Sequence, residues 1–137
     1  MKIRNVLIIL LVAVVIGGII GYKQYNKPHR DLMSEKVSAQ MTAQELFSAY
    51  DQNETAANEQ YLDEMVEITG TIERVNIEQE KSTIQLQTED MMAGIICEFE
   101  AGAMKNIPAE GQKITVRGIC TGMLMDVVLV RCIIMNS

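Results

Sequence analysis

Residues 66–73 read Val66-Glu67-Ile68-Thr69-Gly70-Thr71-Ile72-Glu73. Every second side chain is apolar or glycine, and those between are polar or charged. A strand sends successive side chains to opposite faces, so this spacing predicts a strand buried on one face and wet on the other. Gly70 falls in its middle, where a bulge or sharp bend is expected. Bends of that kind let a strand turn from one sheet face to the next in a small barrel.

The same period of two recurs downstream. Ile84 and Leu86 alternate within Thr83–Gln87, and Ile95, Cys97 and Phe99 alternate with Ile96, Glu98 and Glu100. Ile114, Val116, Gly118 and Cys120 form a fourth alternating set. Val128, Val130, Cys132 and Ile134 form a fifth, within a strand expected from Asp126 to Ile134. Polar or glycine-rich stretches at 76–81, 89–94, 101–112 and 121–124 separate them as turns. Upstream, Thr42-Ala-Gln-Glu45 has the spacing of a helix capping box. Leu46, Phe47 and Tyr50 follow at helical spacing. One or two short helices are expected over 43–61, with a break near Gln52-Asn53. Their aromatic face packs on the barrel; Tyr50 and Tyr61 are read as core residues in preference to a base-stacking platform.

The chain opens differently. Val6 to Gly21 reads VLIILLVAVVIGGIIG with no charge; Ile3 extends the run and Tyr22 closes it. At ~1.5 Å per residue, such a helix is about as long as a bilayer's hydrocarbon core is thick. Lys2 and Arg4 precede it, and Lys23, Lys27 and Arg30 follow. The reading is a retained single-pass anchor, with a cleaved signal peptide as the alternative. Ile19-Ile20-Gly21 lacks the small-x-small pattern of a cleavage site, and no cysteine near the run's end suits a lipoprotein. The short basic N-terminus places the following domain on the extracytoplasmic side. Gly17-x-x-x-Gly21 matches a helix-dimer spacing, which allows a homodimer through this helix. The layout is therefore an anchor at 1–22, a juxtamembrane linker at 23–41 and a helix-plus-barrel domain at 42–137. His29, the chain's one histidine, reads as a solvated linker residue.

Five alternating strands, bent glycines and a preceding helical segment define a mainly β, five-stranded barrel of OB-fold type, with a five-stranded SH3-like barrel as competitor. Several blocks also resemble a known family. Asn26-Lys-Pro-His-Arg-Asp31, Ala43-Gln-Glu-Leu-Phe47, Val66-Glu-Ile-Thr-Gly-Thr-Ile72 and Gly118-Ile-Cys-Thr-Gly-Met-Leu-Met-Asp-Val-Val-Leu129 look like the bacterial tRNA_anti-like OB-fold proteins. The resemblance implies an OB-fold in small, anchored or exported proteins. It implies no catalytic motif.

Charge argues against the partner the fold name suggests. Residues 1–62 carry six Lys/Arg and six Asp/Glu, whereas residues 63–137 carry six against twelve, so the net charge of −6 falls on the second half. Nucleic-acid affinity draws on basic surfaces and stacking aromatics. Residues 63–137 hold one aromatic, Phe99, at a core position, so nucleic acid is disfavoured and a protein or peptide partner is expected. With no histidine in the domain, no phosphate loop and no nucleophile–base pattern, no enzyme activity is expected.

Ten methionines are present. Met91, Met92, Met123 and Met125 sit in expected loops or strand edges and mark candidate ligand-contacting segments. Thioethers suit Cu(I), and a copper- or cofactor-handling chaperone is an alternative. The domain lacks the His and Trp that such sites add, so packing is the preferred role and no metal or cofactor is expected. Cys97, Cys120 and Cys132 fall on inward parities as small core residues. Export would permit one disulfide, with Cys120–Cys132 the preferred pair because a hairpin joins their strands.

Overall fold

The computed structural model describes residues 2–25 and 34–136, in two compact units that divide at Asp31–Leu32. His29 and the centre of the expected linker lie outside the described residues. The first unit is one helix, α1 (Ile3–Tyr25), with a mean hydropathy of 2.7 over its best window and every side chain exposed. Its length and composition suffice to cross a membrane.

The second unit runs β1 (Ala39–Thr42), α2 (Ala43–Gln52), α3 (Glu54–Tyr61), β2 (Met65–Ile77), β3 (Lys81–Leu86), β4 (Ile95–Glu100), β5 (Lys113–Met123) and β6 (Val127–Asn136). The strands join in the order β1-β2-β3-β4-β6-β5, and β5 returns to β2, closing a five-stranded barrel with β1 added outside. This is the Greek-key order of an OB-fold.

β2 makes closure possible by changing partners along its length. Met65 to Thr71 pair antiparallel with β5, and Ile72 to Ile77 pair with β3. The change falls next to Gly70, and the β2–β3 register shifts between Ile72 and Arg74. Gly70 also lies close under the start of α2, since an added Cβ would be 3.0 Å from the Ala43 Cβ. Val66, Ile68 and Ile72 point inward with Ile84, Leu86, Ile95, Cys97, Phe99, Ile114 and Val116, all essentially inaccessible to water.

α2 covers the barrel core with Leu46, Phe47 and Tyr50. The capping box forms as expected: the Thr42 Oγ1 accepts from the Glu45 N–H at 3.1 Å, and Glu45 Oε2 accepts from the Thr42 N–H at 2.7 Å. The expected break is at Asn53. Its N–H closes α2 on the Ala49 carbonyl, while its Oδ1 starts α3 by accepting from the Ala56 N–H at 3.1 Å. The Tyr50 and Tyr61 rings meet at 6.5 Å, with Tyr50 buried and Tyr61 packed on the core.

Three local readings are corrected. The stretch assigned to the linker contains β1, which lies parallel to β2 with Ala39 beside Val66. Thr121-Gly122-Met123 continues β5, and the turn is confined to 124–126. Gly122, at a φ of +98°, sits in an irregular pairing, not in the turn its identity suggested. In β6 the inward residues are Val127, Leu129 and Cys132; Val128 and Val130 are only half-buried, on the opposite parity. Arg131, at a φ of 54°, takes up one extra residue against β5 and restores Cys132 to the interior.

Candidate functional site

The loops marked by methionine meet at one end of the barrel. β4 and β6 run parallel from Ile95↔Val127, so the segments leading into them, 87–94 and 124–126, are neighbours. Side-chain caps tie them together. Asp126 Oδ1 accepts from the Gly94 N–H at 2.7 Å, and the Val127 N–H donates to the Gly94 carbonyl at 3.2 Å. Asp90 Oδ1 accepts from the Met92 N–H at 2.7 Å, and the Thr88 hydroxyl donates to the Ala93 carbonyl at 2.6 Å. Gly94 is required there, because a Cβ would sit 2.6 Å from the Leu86 carbonyl oxygen.

With the carboxylates folded back as caps, the apolar side chains point out. Met91 is 97% exposed, Met92 86%, Leu124 94% and Met125 74%. Met123 separates from this group and packs against the core. Leu124, which no methionine-based reading singles out, joins the tip and helps line a cleft of about 480 Å³ with Leu62, Asn58 and Glu54 from the α3 side.

A second surface is the outer face of β2, β3 and β4. A shallow cleft of about 410 Å³ is lined there by Arg74, Asn76, Thr83 and Gln85, with Val75 and Ile96 as its apolar part. Its hydrogen-bonding groups are mostly neutral. Lys81, also on β3, is drawn to Glu98 at 3.4 Å. No aromatic ring lines the cleft; Phe99 faces the core.

All three cysteines are buried thiols. The hairpin does not oppose Cys120 and Cys132: Cys120 pairs with Leu129 across the ladder and meets the Tyr50 hydroxyl at 3.3 Å. Cys132 lies instead against Cys97 and over Gly118, where an added Cβ would be 2.6 Å from its sulfur. Burial pushes the Cys132 thiol well above its ordinary range, and the hydrogen bond with Cys97 adds to the rise. Burial does the same to the Tyr50 phenol, helped by Cys120. Among the described residues no cluster of His, Cys, Asp or Glu has the arrangement of a metal site.

The tRNA_anti-like family model matches residues 1–134, from the N-terminal helix to the last strand. The chain belongs to the tRNA_anti-like family. A search of curated proteins finds no match. Among solved structures, the chain is similar to a protein from Klebsiella pneumoniae subsp. pneumoniae provisionally described as a nucleic acid-binding lipoprotein. The TM-score is 0.60 at 15% identity, covering 80% of this chain and 100% of the other. At that identity the likeness is one of fold.

Proposed function

We propose that this tRNA_anti-like protein is a non-enzymatic binding module, tethered by α1 to a membrane of the cell envelope with its barrel on the extracytoplasmic side. Its partner is a protein, engaged as an extended peptide on the outer β2–β3–β4 face. The observation carrying this reading is the make-up of that cleft: amide, hydroxyl and guanidinium groups beside Val75 and Ile96, with no ring for a base to stack on. Such groups match a peptide backbone's alternating donors and acceptors. OB-folds commonly bind across this face. The lipoprotein description of the similar structure supports an envelope setting.

Nucleic-acid binding is the second reading, favoured by that same description. Residues 63–137 weigh against it, with twelve acidic side chains to six basic. Two measurements decide. Photo-crosslinking from position 85 in intact membranes should capture a discrete protein that Arg74→Ala and Thr83→Ala variants lose. Fluorescence anisotropy of single-stranded DNA and RNA oligonucleotides with the detergent-solubilised chain should show no binding tighter than the non-specific range. Salt-sensitive, tight oligonucleotide binding would replace the first reading with the second.

A further inference from the structure

The two-loop tip has a chemistry unlike that of the β2–β3–β4 face. Met91, Met92, Leu124 and Met125 project from adjacent loops that are pinned to one another through Asp126 and Gly94. Large apolar side chains this exposed and this close together on a soluble surface mark an interaction site. Its own segments are acidic: 87–94 and 124–126 carry Glu89, Asp90 and Asp126 and no Lys or Arg.

The chain coming from the tether joins the domain at this same end. The Ser38 N–H donates to the Met65 carbonyl, and Ala39 pairs with Val66. Met65 in turn pairs with Ile119, and the Asp63 N–H donates to the Cys120 carbonyl, close to where β5 runs out to the 124–126 turn. Residues 26–37 connect Tyr25 to Ser38, and fully extended they reach at most roughly 40–43 Å.

We infer that the tip is a lipid-contacting surface, with Met91, Met92, Leu124 and Met125 entering the interfacial layer of the bilayer that holds α1. The inference rests on the tethering reading. A tether this short turns contact with the bilayer into an intramolecular event, so a few inserted side chains suffice where a free domain would need many. The charge of the tip segments sets the lipid class: the surface suits zwitterionic headgroups, and anionic ones repel Glu89, Asp90 and Asp126. The loop caps have a role in this. Asp90 and Asp126 spend their carboxylates on backbone N–H groups and leave the apolar side chains as the outermost atoms.

The chain has no tryptophan, so one introduced residue reports on its own surroundings. Leu124→Trp in the full chain, reconstituted in phosphatidylcholine vesicles, should emit to the blue of a water-exposed indole. Bromine on the lipid acyl chains should quench it several-fold more than Ile107→Trp, placed in the exposed 101–112 loop at the opposite end of the barrel. Adding phosphatidylglycerol should reduce that quenching. Equal, water-like behaviour of the two variants overturns the inference while leaving the tether intact. So does a blue shift without bromine quenching, which marks a protein surface against the tip. Failure of the chain to float with the vesicles overturns the tether, and the inference with it.

Discussion

Cys132 and Gly118 show how much of the interior depends on single atoms. Gly118→Ala would drive a Cβ to 2.6 Å from the Cys132 sulfur, with the Leu129 Cβ and Val130 carbonyl at 3.3 Å closing the remaining room. Overpacking of this kind costs about 1–3 kcal/mol. Removing the sulfur with Cys132→Ala should recover part of that loss, so urea unfolding of the two single variants and the double variant should be non-additive. The raised Cys132 thiol makes a second prediction. The folded protein keeps its proton at pH values where the unfolded chain has lost it. Stability is therefore undiminished below the unfolded thiol's pKa of about 8.5, and falls above it by up to about 1.4 kcal/mol per pH unit. Tyr50 acts in the same sense above about pH 10. Denaturation midpoints between pH 7 and 10 should show the decline, and Cys132→Ala should flatten it. Burial of Cys97 and Cys120 is legible in the alternation of residues, because parity alone decides it. Cys132 is buried for another reason, the extra residue at Arg131 that returns it to the interior, and a single-residue slip leaves no mark in composition; Cys120 faces Leu129, three positions short of Cys132.

At the scale of elements, the helices were the most readable part. Thr42 and Glu45 announce the start of α2, and Asn53 serves both helices at once, as the last hydrogen-bond donor of one and the cap of the next. Thr42→Ala and Asn53→Ala should each cost about 0.5–2 kcal/mol by chemical denaturation, the usual worth of a lost cap. Five barrel strands were legible because each buries one face and exposes the other. β1 was not: four residues with the burial pattern of alternate half-burial carry too little periodicity to stand out from a polar linker. β5 runs past its expected end because Gly122, whose identity suggests a turn, uses its positive φ in an irregular pairing beside α3. The candidate loops were found through methionine, but their grouping comes from β4 and β6 running parallel, a long-range pairing no local pattern encodes. Asp126→Ala should loosen both loops together, since one carboxylate holds the Gly94 N–H. Faster amide exchange at Met92, Gly94 and Leu124, with the core strands unchanged, would display it.

For the whole molecule, the separation into an apolar helix and an acidic barrel was plain from the distribution of charge. Deleting residues 2–22 should move the protein from an alkali-resistant membrane fraction to the soluble fraction, with the denaturation midpoint of the barrel unchanged. Recovery of the deleted form in membranes would remove α1 as the anchor. The barrel's outer cleft was less legible. Arg74, Asn76, Thr83 and Gln85 are ordinary wet-face residues one by one, and become a common surface only when β2 bends beyond Gly70 to lie beside β3.

The added strand β1 has a mechanical consequence. It is the first strand of the barrel unit and is held to the barrel by a parallel ladder along β2 from Ala39↔Val66 to Thr42↔Thr69, fastened at its start by Ser38. Tension applied to the N-terminal end of β1 along the strand stretches those hydrogen bonds together, in shear, so that none peels before the others. Under the tethering proposed above, a partner pulling on the barrel would load this ladder in series with the closed fold beyond it, as a clasp between the two.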